Sequence, residues 1–346
     1  MQRPIMDSSY IVEARPQPRP RRRVWRRFFI PLLKCFGRLL VSRPLALRRS
    51  RENQLPITFL GGLTAAFARQ AVFLVLALAI AASALAYAGT HPTPARISSD
   101  PGGQGVYFDQ LSLPSTDGTP LHGWLVPAID ARRVVEQKER VLRERWPAVV
   151  LVHDFGRTPE QMLPLVRPLH EEGIVVLALG LRGAGEGWPA GQTFGLHESR
   201  DIRAAVEFLR RRAFVDPDRI AVVGFGTGAT AALLAAQRDA TLSAIVFADP
   251  VIDASDALAR QIGPKQPWLK WLRAPCKWTF ELGYRVNADD INFDHFADLA
   301  AAPTSLRLAA GSDRPNYLSQ RRIAEIREFL VARLHEKAAV AGIPRD

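Results

Sequence analysis

The sequence predicts an α/β fold, in which helices cover a mostly parallel sheet, preceded by one transmembrane helix. Three observations predict it. Short β-branched runs alternate with helical periods between residues 106 and 337, a glycine-rich turn joins one run to a helix, and residues 71–89 form an apolar stretch without a charged side chain. The predicted domains are a basic cytoplasmic arm at 1–69, a transmembrane helix at 70–90, a linker at 91–105, and a domain at 106–346 with a cap insertion at about 254–298.

The basic charge of the chain is confined to its first 70 residues. They hold 15 of the 46 Lys and Arg residues but only 3 of the 34 Asp and Glu residues, so they carry the whole formal net charge of +12. The remainder is neutral, which disfavours a nucleic-acid partner. The two cysteines, Cys35 and Cys276, lie too far apart for a disulfide framework or a thiolate cluster, and we expect neither a metal nor a cofactor.

Two parts of the arm differ in composition. Residues 14–23 are too rich in Pro and Arg to fold alone. Residues 25–49 interleave Phe, Ile and Leu with Arg and Lys, which predicts a basic amphipathic segment on an anionic membrane surface. The alternative is a solvated charge run that only fixes the topology, and the pattern does not decide between the two.

The apolar stretch reads AVFLVLALAIAASALAYAG. As a helix it would be roughly 28 Å long, the thickness of the hydrocarbon core of a bilayer. Ala86-Tyr87-Ala88 has the form of a signal-peptidase site, but the long charged region before it favours an uncleaved anchor. Because flanking Lys and Arg resist translocation, we expect a single-pass protein of the inner membrane, with the arm in the cytoplasm, the domain outside it and membrane lipid as a partner. A buried soluble helix is the alternative.

The domain begins with a predicted hairpin around Asp117-Gly118, a dipeptide that favours tight turns. Apolar β-branched runs then predict buried parallel strands, and apolar residues at helical spacing predict the helices between them. The predicted strands are 106–113, 121–127, 148–153, 174–179, 220–224, 243–248 and 305–310, and the predicted helices are 159–172, 198–212, 229–238 and 317–337.

The turn Gly224-Phe225-Gly226-Thr227-Gly228 resembles the nucleophile elbow of the α/β-hydrolase superfamily, especially its membrane-anchored bacterial, dienelactone-hydrolase and prolyl-peptidase-like members. The resemblance covers about residues 106–330 and implies hydrolysis of esters or peptides. Four further segments carry it in the same order: Leu121-His122-Gly123-Trp124, the oxyanion-loop residues His153-Asp154-Phe155-Gly156, Arg182-Gly183-Ala184-Gly185-Glu186-Gly187, and Asp216-Pro217-Asp218-Arg219-Ile220.

The sequence departs from the family pattern at the nucleophile itself. Gly226 stands where the family has serine, and glycine has no nucleophilic atom although it tolerates the backbone of an elbow. By resemblance, Thr227 supplies an oxyanion N–H, and its hydroxyl is the alternative nucleophile. Asp154 replaces a glycine of the oxyanion loop and brings a negative charge to where an oxyanion would form, whereas we expect a structural role for His153.

The other triad positions are also altered. Asp313 aligns with the acid of the family. The histidine should follow a further strand, but a helix is predicted instead, so His335 near its end and His295 in the cap are the remaining candidates for the base. The final strand and loop of the family are either replaced or lost here. A standard serine hydrolase is therefore not expected.

Two further features leave alternatives open. The cap aromatics Trp268, Trp271 and Trp278, interleaved with basic residues, predict a ligand-gripping lid, a surface resting on the bilayer, or ordinary packing of a small cap. The glycines of the elbow also half-match a dinucleotide fingerprint, with Asp249 placed 25 residues after Gly224 as a ribose-binding acid.

These observations favour a membrane-anchored, catalytically degenerate binding or scaffold module with an unidentified small-molecule or protein ligand. An active hydrolase with a non-standard catalytic set is the second hypothesis, and a nucleotide-binding protein is the third. Residue 226 discriminates between the first two, because chemistry through the elbow needs a side chain there.

Overall fold

The computed structural model describes residues 57–93, 95–129, 144–184, 190–262, 271–291, 296–302, 304–308 and 318–340. The predicted amphipathic segment at 25–49 lies outside these residues. Contacts divide the chain into a unit of residues 1–67 and a unit of residues 68–346, and the sheet belongs to the second unit.

One seven-stranded sheet forms the centre of this unit. Its strands are β1 Asp109–Pro114, β2 Pro120–Val126, β3 Trp146–Val152, β4 Val175–Gly180, β5 Val215–Phe225, β6 Ala244–Ala248 and β7 Ser305–Leu308. They lie in the order β1-β2-β4-β3-β5-β6-β7. The first two strands form the predicted antiparallel hairpin, β2 pairs antiparallel with β4, and all remaining pairs are parallel. The prediction of an α/β fold with a mostly parallel sheet is confirmed.

Helices cover both faces of the sheet, as the buried apolar residues of β3, β4 and β5 require. The helices in the described part of the chain are α1 Ile57–Thr90, α2 Leu163–Glu171, α3 Glu198–Arg210, α4 Thr227–Gln237, α5 Ala254–Ile262, α6 Arg273–Tyr284, α7 Ala297–Ala301 and α8 Gln320–Val340. One core cluster includes residues of α3, α4, α5 and α6, and a second cluster includes residues of α2 and α8.

Strand β5 begins at Val215, five residues earlier than predicted. Its pairing with β3 shifts register, because Trp146 pairs with Val215 whereas Ala148 pairs with Ile220. Pro217 lies within the shifted stretch and has no N–H to donate to a ladder. The sequence pattern located the regular part of the strand and missed the irregular start.

Helix α1 is also longer than predicted, since it begins at Ile57 rather than at residue 70. Within the described residues, its segment Thr64–Thr90 is the one helix long and apolar enough to cross a membrane, judged by length and composition. The side chains of Val72, Leu74 and Val75 are 68%, 69% and 65% exposed. The end of the helix differs, because Ala82 is fully buried against the domain.

A buried ion network fixes the hairpin and the loop after β4 to α3. The Arg182 guanidinium donates to both carboxylate oxygens of Asp201, at 2.6 Å from Nη2 to Oδ1 and 3.0 Å from Nε to Oδ2, and to Asp117 at 2.8 Å. Burial alone would lower the pKa of Arg182, but the hydrogen bonds and charge of Asp201 raise it, so the guanidinium stays charged. Ser115 completes the network by donating to Asp201 at 2.6 Å.

Candidate functional site

The turn between β5 and α4 has the backbone of an elbow. Gly226 lies between the two elements with φ 55° and ψ −118°, in the left-handed region that favours glycine. A Cβ on Gly224 would lie 2.4 Å from the carbonyl oxygen of Gly228, and a Cβ on Gly228 would lie 2.5 Å from the carbonyl oxygen of His153. The three glycines therefore allow the strand, the turn and the helix to approach closely at the carboxyl edge of the sheet.

The carboxylate of Asp154 fills the space in front of this turn. Its Oδ1 accepts hydrogen bonds from the backbone N–H of Phe155 at 2.6 Å and from the backbone N–H of Thr227 at 2.9 Å. A Cβ on Gly226 would lie only 1.8 Å from the same oxygen and 2.1 Å from Cγ. The Asp154 side chain thus occupies the space that a side chain at position 226 would need, and it also accepts hydrogen bonds from the two backbone amides.

Hydrogen bonds and ring packing fix the backbone of Asp154 and of the two residues after it. Its N–H donates to Oε1 of Gln161 at 2.8 Å. The next residues are fixed as well, because the N–H of Gly156 donates to Oε1 of Gln192 at 3.0 Å and the Phe155 ring stacks on Phe194 with 5.2 Å between centroids. The Asp154 carboxylate therefore projects from a loop that Gln161, Gln192 and Phe194 hold in place.

His153 is fully buried in this loop, and both of its ring nitrogens have partners. Nε2 accepts from the N–H of Leu181 at 3.0 Å, and Nδ1 lies 2.8 Å from the carbonyl oxygen of Asp154, which assigns the proton to Nδ1. Burial lowers the pKa of His153 to about 4, so the ring is neutral near pH 7. The ring orients the strand end and has no nitrogen left for a substrate.

Phe194 is positioned by a buried carboxylate. Glu198 accepts from the N–H of Thr193 at 2.7 Å and from the N–H of Gly195 at 2.9 Å, and so holds the loop on either side of Phe194. Phe194 itself has a φ of 58°, unusual for a bulky residue. Burial raises the pKa of Glu198, while the hydrogen bonds from Thr193 act in the opposite direction.

Thr227 begins α4 with a side chain that is 1% exposed. Its backbone N–H is the one that donates to Asp154. Its hydroxyl has no hydrogen-bond partner within the part of the chain that the structure describes. Thr227 therefore contributes its backbone amide to the turn, and its buried hydroxyl is unpartnered among the described residues.

A cavity of about 580 Å³ opens beside the turn. Its described lining contains four carboxylates, one guanidinium and one hydroxyl, and it contains no histidine, serine or cysteine. Asp249, at the end of β6, has a left-handed φ of 49°. The lining residues are Asp154, Phe155, Phe194, Gly226, Thr227, Asp249, Pro250, Val251, Ile252, Asp253, Asp256, Ala257, Arg260 and Gln261.

The structure brings only part of the predicted site together. Asp313, His295 and Trp268 lie outside the described residues. His335 follows Leu334, which packs in the core cluster of α2 and α8, whereas the cavity residues Phe155 and Phe194 belong to the cluster on the other face. The buried side of the last helix thus packs in the cluster that does not contain the cavity residues, and the role of His335 as a base stays a prediction.

The two described cap tryptophans, Trp271 and Trp278, are not among the lining residues of the cavity. Trp271 is 58% exposed and Trp278 is 71% exposed, so the side chains of both point away from the interior of the cap. Phe280 packs inward instead, 5.9 Å from the ring of Phe194. Helical spacing places Trp278 and Phe280 on different faces of α6. The number of aromatic residues in this segment alone did not predict which of them face outward.

The sequence analysis did not identify two of the four carboxylates that line the cavity, those of Asp253 and Asp256. Asp253 and Asp256 lie at the start of α5, where Asp253 accepts from the N–H groups of Ser255 and Asp256 at 2.7 and 3.0 Å. Asp256 forms an ion pair with Arg260 one turn later. Their position in the sequence could have identified them, because both acids follow the carboxyl end of β6, and open α/β sheets bind ligands at this edge.

Comparison with known proteins agrees with this geometry. A sequence model of the alpha/beta hydrolase family matches residues 149–342, more than half of the chain. The chain belongs to the alpha/beta hydrolase family. The mostly parallel sheet with helices on both faces is the architecture of that family.

Curated relatives in the family are similar over part of their length. Polyketide transferase af380 of Aspergillus fumigatus is 29% identical over 146 residues, which is 41% of this chain and 45% of that protein. Uncharacterized protein YfhR of Salmonella typhimurium is 28% identical over 144 residues, 42% of each protein. The chain spans about half the length of the curated relatives it matches.

A solved structure shares the fold over a larger part of the chain. The Pyrococcus furiosus esterase Pf2001 is similar with a TM-score of 0.53 and covers 70% of this chain and 99% of its own. Its sequence identity of 18% shows the fold alone.

Proposed function

We propose that this protein is a membrane-anchored member of the alpha/beta hydrolase family that does not hydrolyse substrates through its elbow and uses the adjoining cavity to bind a ligand. The position of the Asp154 carboxylate carries the proposal. Elbow chemistry needs a nucleophilic side chain and two free amides that stabilise the oxyanion. Gly226 supplies no side chain, and the amides of Phe155 and Thr227 donate to Asp154 instead.

The charge of the carboxylate also opposes the reaction. A tetrahedral intermediate places its negative charge on the oxygen that faces the two amides. With Asp154 bound there, that oxygen would meet a like charge within a few Å, in a site partly closed to water. The same charge does not oppose the binding of a cation or of a hydroxyl-rich molecule, and Asp249 and Asp253 in the wall favour such ligands.

The anchoring part of the proposal concerns α1. Its exposed apolar side chains, among them Val72 and Leu74, need a non-aqueous environment. The excess of Lys and Arg before the helix favours a cytoplasmic arm, and hence an extracytoplasmic domain at the inner membrane. We propose a single uncleaved span that keeps the cavity on the outer side.

A fluorophosphonate probe tests the loss of elbow chemistry. We expect no labelling of the full chain purified in detergent, because the two amides already donate to Asp154 and no described residue places an activated hydroxyl in front of them. We also expect no labelling of Gly226→Ser, since the new side chain would collide with Asp154. Gel fluorescence and intact mass report the result, with a serine esterase of the same family as positive control.

An active hydrolase that uses Thr227 is the competing function. Its supporting observations are the unpartnered hydroxyl of Thr227 within the described residues and relatives such as thiohydrolase aneE of Aspergillus aculeatus, 31% identical over 112 residues. Labelling of the wild-type chain that disappears in Thr227→Val would establish this alternative and overturn our proposal. The valine variant is the matched control because it keeps the shape and removes only the hydroxyl.

A nucleotide-binding function has less support. The start of α4 would have to accept a phosphate at its amides. The carboxylate of Asp154 already accepts from the Thr227 N–H there, so a phosphate would face a charge of the same sign. Measurable binding of ATP or NAD by the full chain would reopen this function.

A further inference from the structure

The end of α1 packs directly on α6. The hydroxyl of Thr279 and the thiol of Cys276 both donate to the carbonyl oxygen of Ala82, at 3.5 and 3.7 Å. Farther along, the hydroxyls of Thr90 and Tyr284 lie 2.8 Å apart. These contacts fix the level of α6 relative to the apolar helix.

Ala82 marks the end of the fully exposed part of α1. The residues from Thr64 up to it are exposed, apart from the half-buried Leu78, whereas Ala82 and Ala86 are buried against the domain. If α1 crosses a bilayer with its exposed part in the hydrocarbon core, the outer boundary of that core lies near Ala82, and α6 lies at this boundary. A helix at this level contacts lipid on any side that the protein leaves uncovered.

The uncovered side of α6 has the composition of a membrane interface. Trp278 and Leu282 lie one turn apart and are 71% and 82% exposed, and Trp271, in the turn before the helix, is 58% exposed. Exposed Arg273 and Arg285 flank the helix at its two ends. Tryptophan prefers the headgroup level of a bilayer, and arginine beside it reaches lipid phosphates.

A neighbouring ion pair limits the depth of the helix. Lys277 bonds to the carboxylate of Asp289 at 2.6 Å, and Asp289 is largely exposed. Charges of this kind are costly in hydrocarbon but are solvated among headgroups. The pair therefore holds α6 in the interfacial layer and not in the core of the bilayer.

We propose that the face of α6 formed by Trp278 and Leu282, together with Trp271 in the turn before it, is embedded in the outer interfacial layer of the same bilayer that α1 crosses. The proposal rests on the proposed anchoring of α1. It assigns the cap a second attachment to the membrane, with lipid as the partner of its exposed face.

Spin labels on the full chain test this placement. The native Cys35 and Cys276 are replaced by serine, and single cysteines are introduced as Leu282→Cys on the face, Val75→Cys in the span and Arg167→Cys on α2, all at exposed positions. The chain is reconstituted in phosphatidylethanolamine–phosphatidylglycerol vesicles. Accessibility to oxygen and to a water-soluble nickel chelate is then measured at each position.

We expect oxygen accessibility to exceed nickel accessibility several-fold at 75 and at 282, and the reverse at 167. A lipid-exposed label at 75 with a water-exposed label at 282 would overturn the interfacial face and leave the anchor intact. A water-exposed label at 75 would overturn the anchor and, with it, this inference. Because Leu282 is exposed, its replacement does not depend on repacking of the core.

Discussion

Replacing Gly226 by alanine should lower the free energy of unfolding by about 3 to 5 kcal/mol. The left-handed φ of 55° costs an L-residue about 1 to 2 kcal/mol. The new Cβ would also displace the Asp154 carboxylate, 1.8 Å away, from two amide hydrogen bonds of about 1.5 kcal/mol or more each. Denaturant unfolding of the detergent-solubilised chain, followed by circular dichroism, measures the change.

Gly118→Ala is the matched control. Gly118 has a φ of 82°, but no neighbouring atom lies within 4 Å of its added Cβ, so only the backbone cost of about 1 to 2 kcal/mol applies. In an Asp154→Gly background, Gly226→Ala should cost no more than this control, because the colliding carboxylate is gone. Equal costs at 226 and 118 in the wild-type background would show that the carboxylate does not occupy the elbow.

The sheet was predictable because its strands are locally distinctive. Buried runs such as β4, with six consecutive buried residues, leave a continuous apolar pattern that turns interrupt. The start of β5 was not predictable in the same way. Its irregular pairing around Pro217 depends on contacts with β3, and a local pattern does not contain them.

The candidate site was likewise predictable only in part. The position of Gly226 between a strand and a helix is visible in the sequence, because a glycine-rich turn follows an apolar run there. The place of the Asp154 side chain depends on a rotamer and on the approach of two loops from different strands. The exposure of Trp278 and the inward packing of Phe280 likewise depend on how α6 rotates against its neighbours.

The loop that begins at Arg182 has a recognisable family motif but, in its described part, contributes to stability and not to the cavity. We expect Arg182→Met to lower the free energy of unfolding by about 3 to 5 kcal/mol, the typical cost of leaving a buried charge unpaired. The charge in question is Asp201, whose side chain is fully buried. Denaturant unfolding at neutral pH measures the loss.

The surface pair of Arg167 and Glu171 provides the control, since its side chains are 61% and 58% exposed. Arg167→Met should cost less than about 1 kcal/mol, because water solvates both charges when they separate. Combining Arg182→Met with Asp201→Asn should recover part of the loss, since no buried charge then lacks a partner. If Arg182→Met cost as little as Arg167→Met, the ion network would not hold the hairpin to α3. If the double variant recovered nothing, the cost would come from lost hydrogen bonds to Ser115 and Asp117 and not from the charge of Asp201.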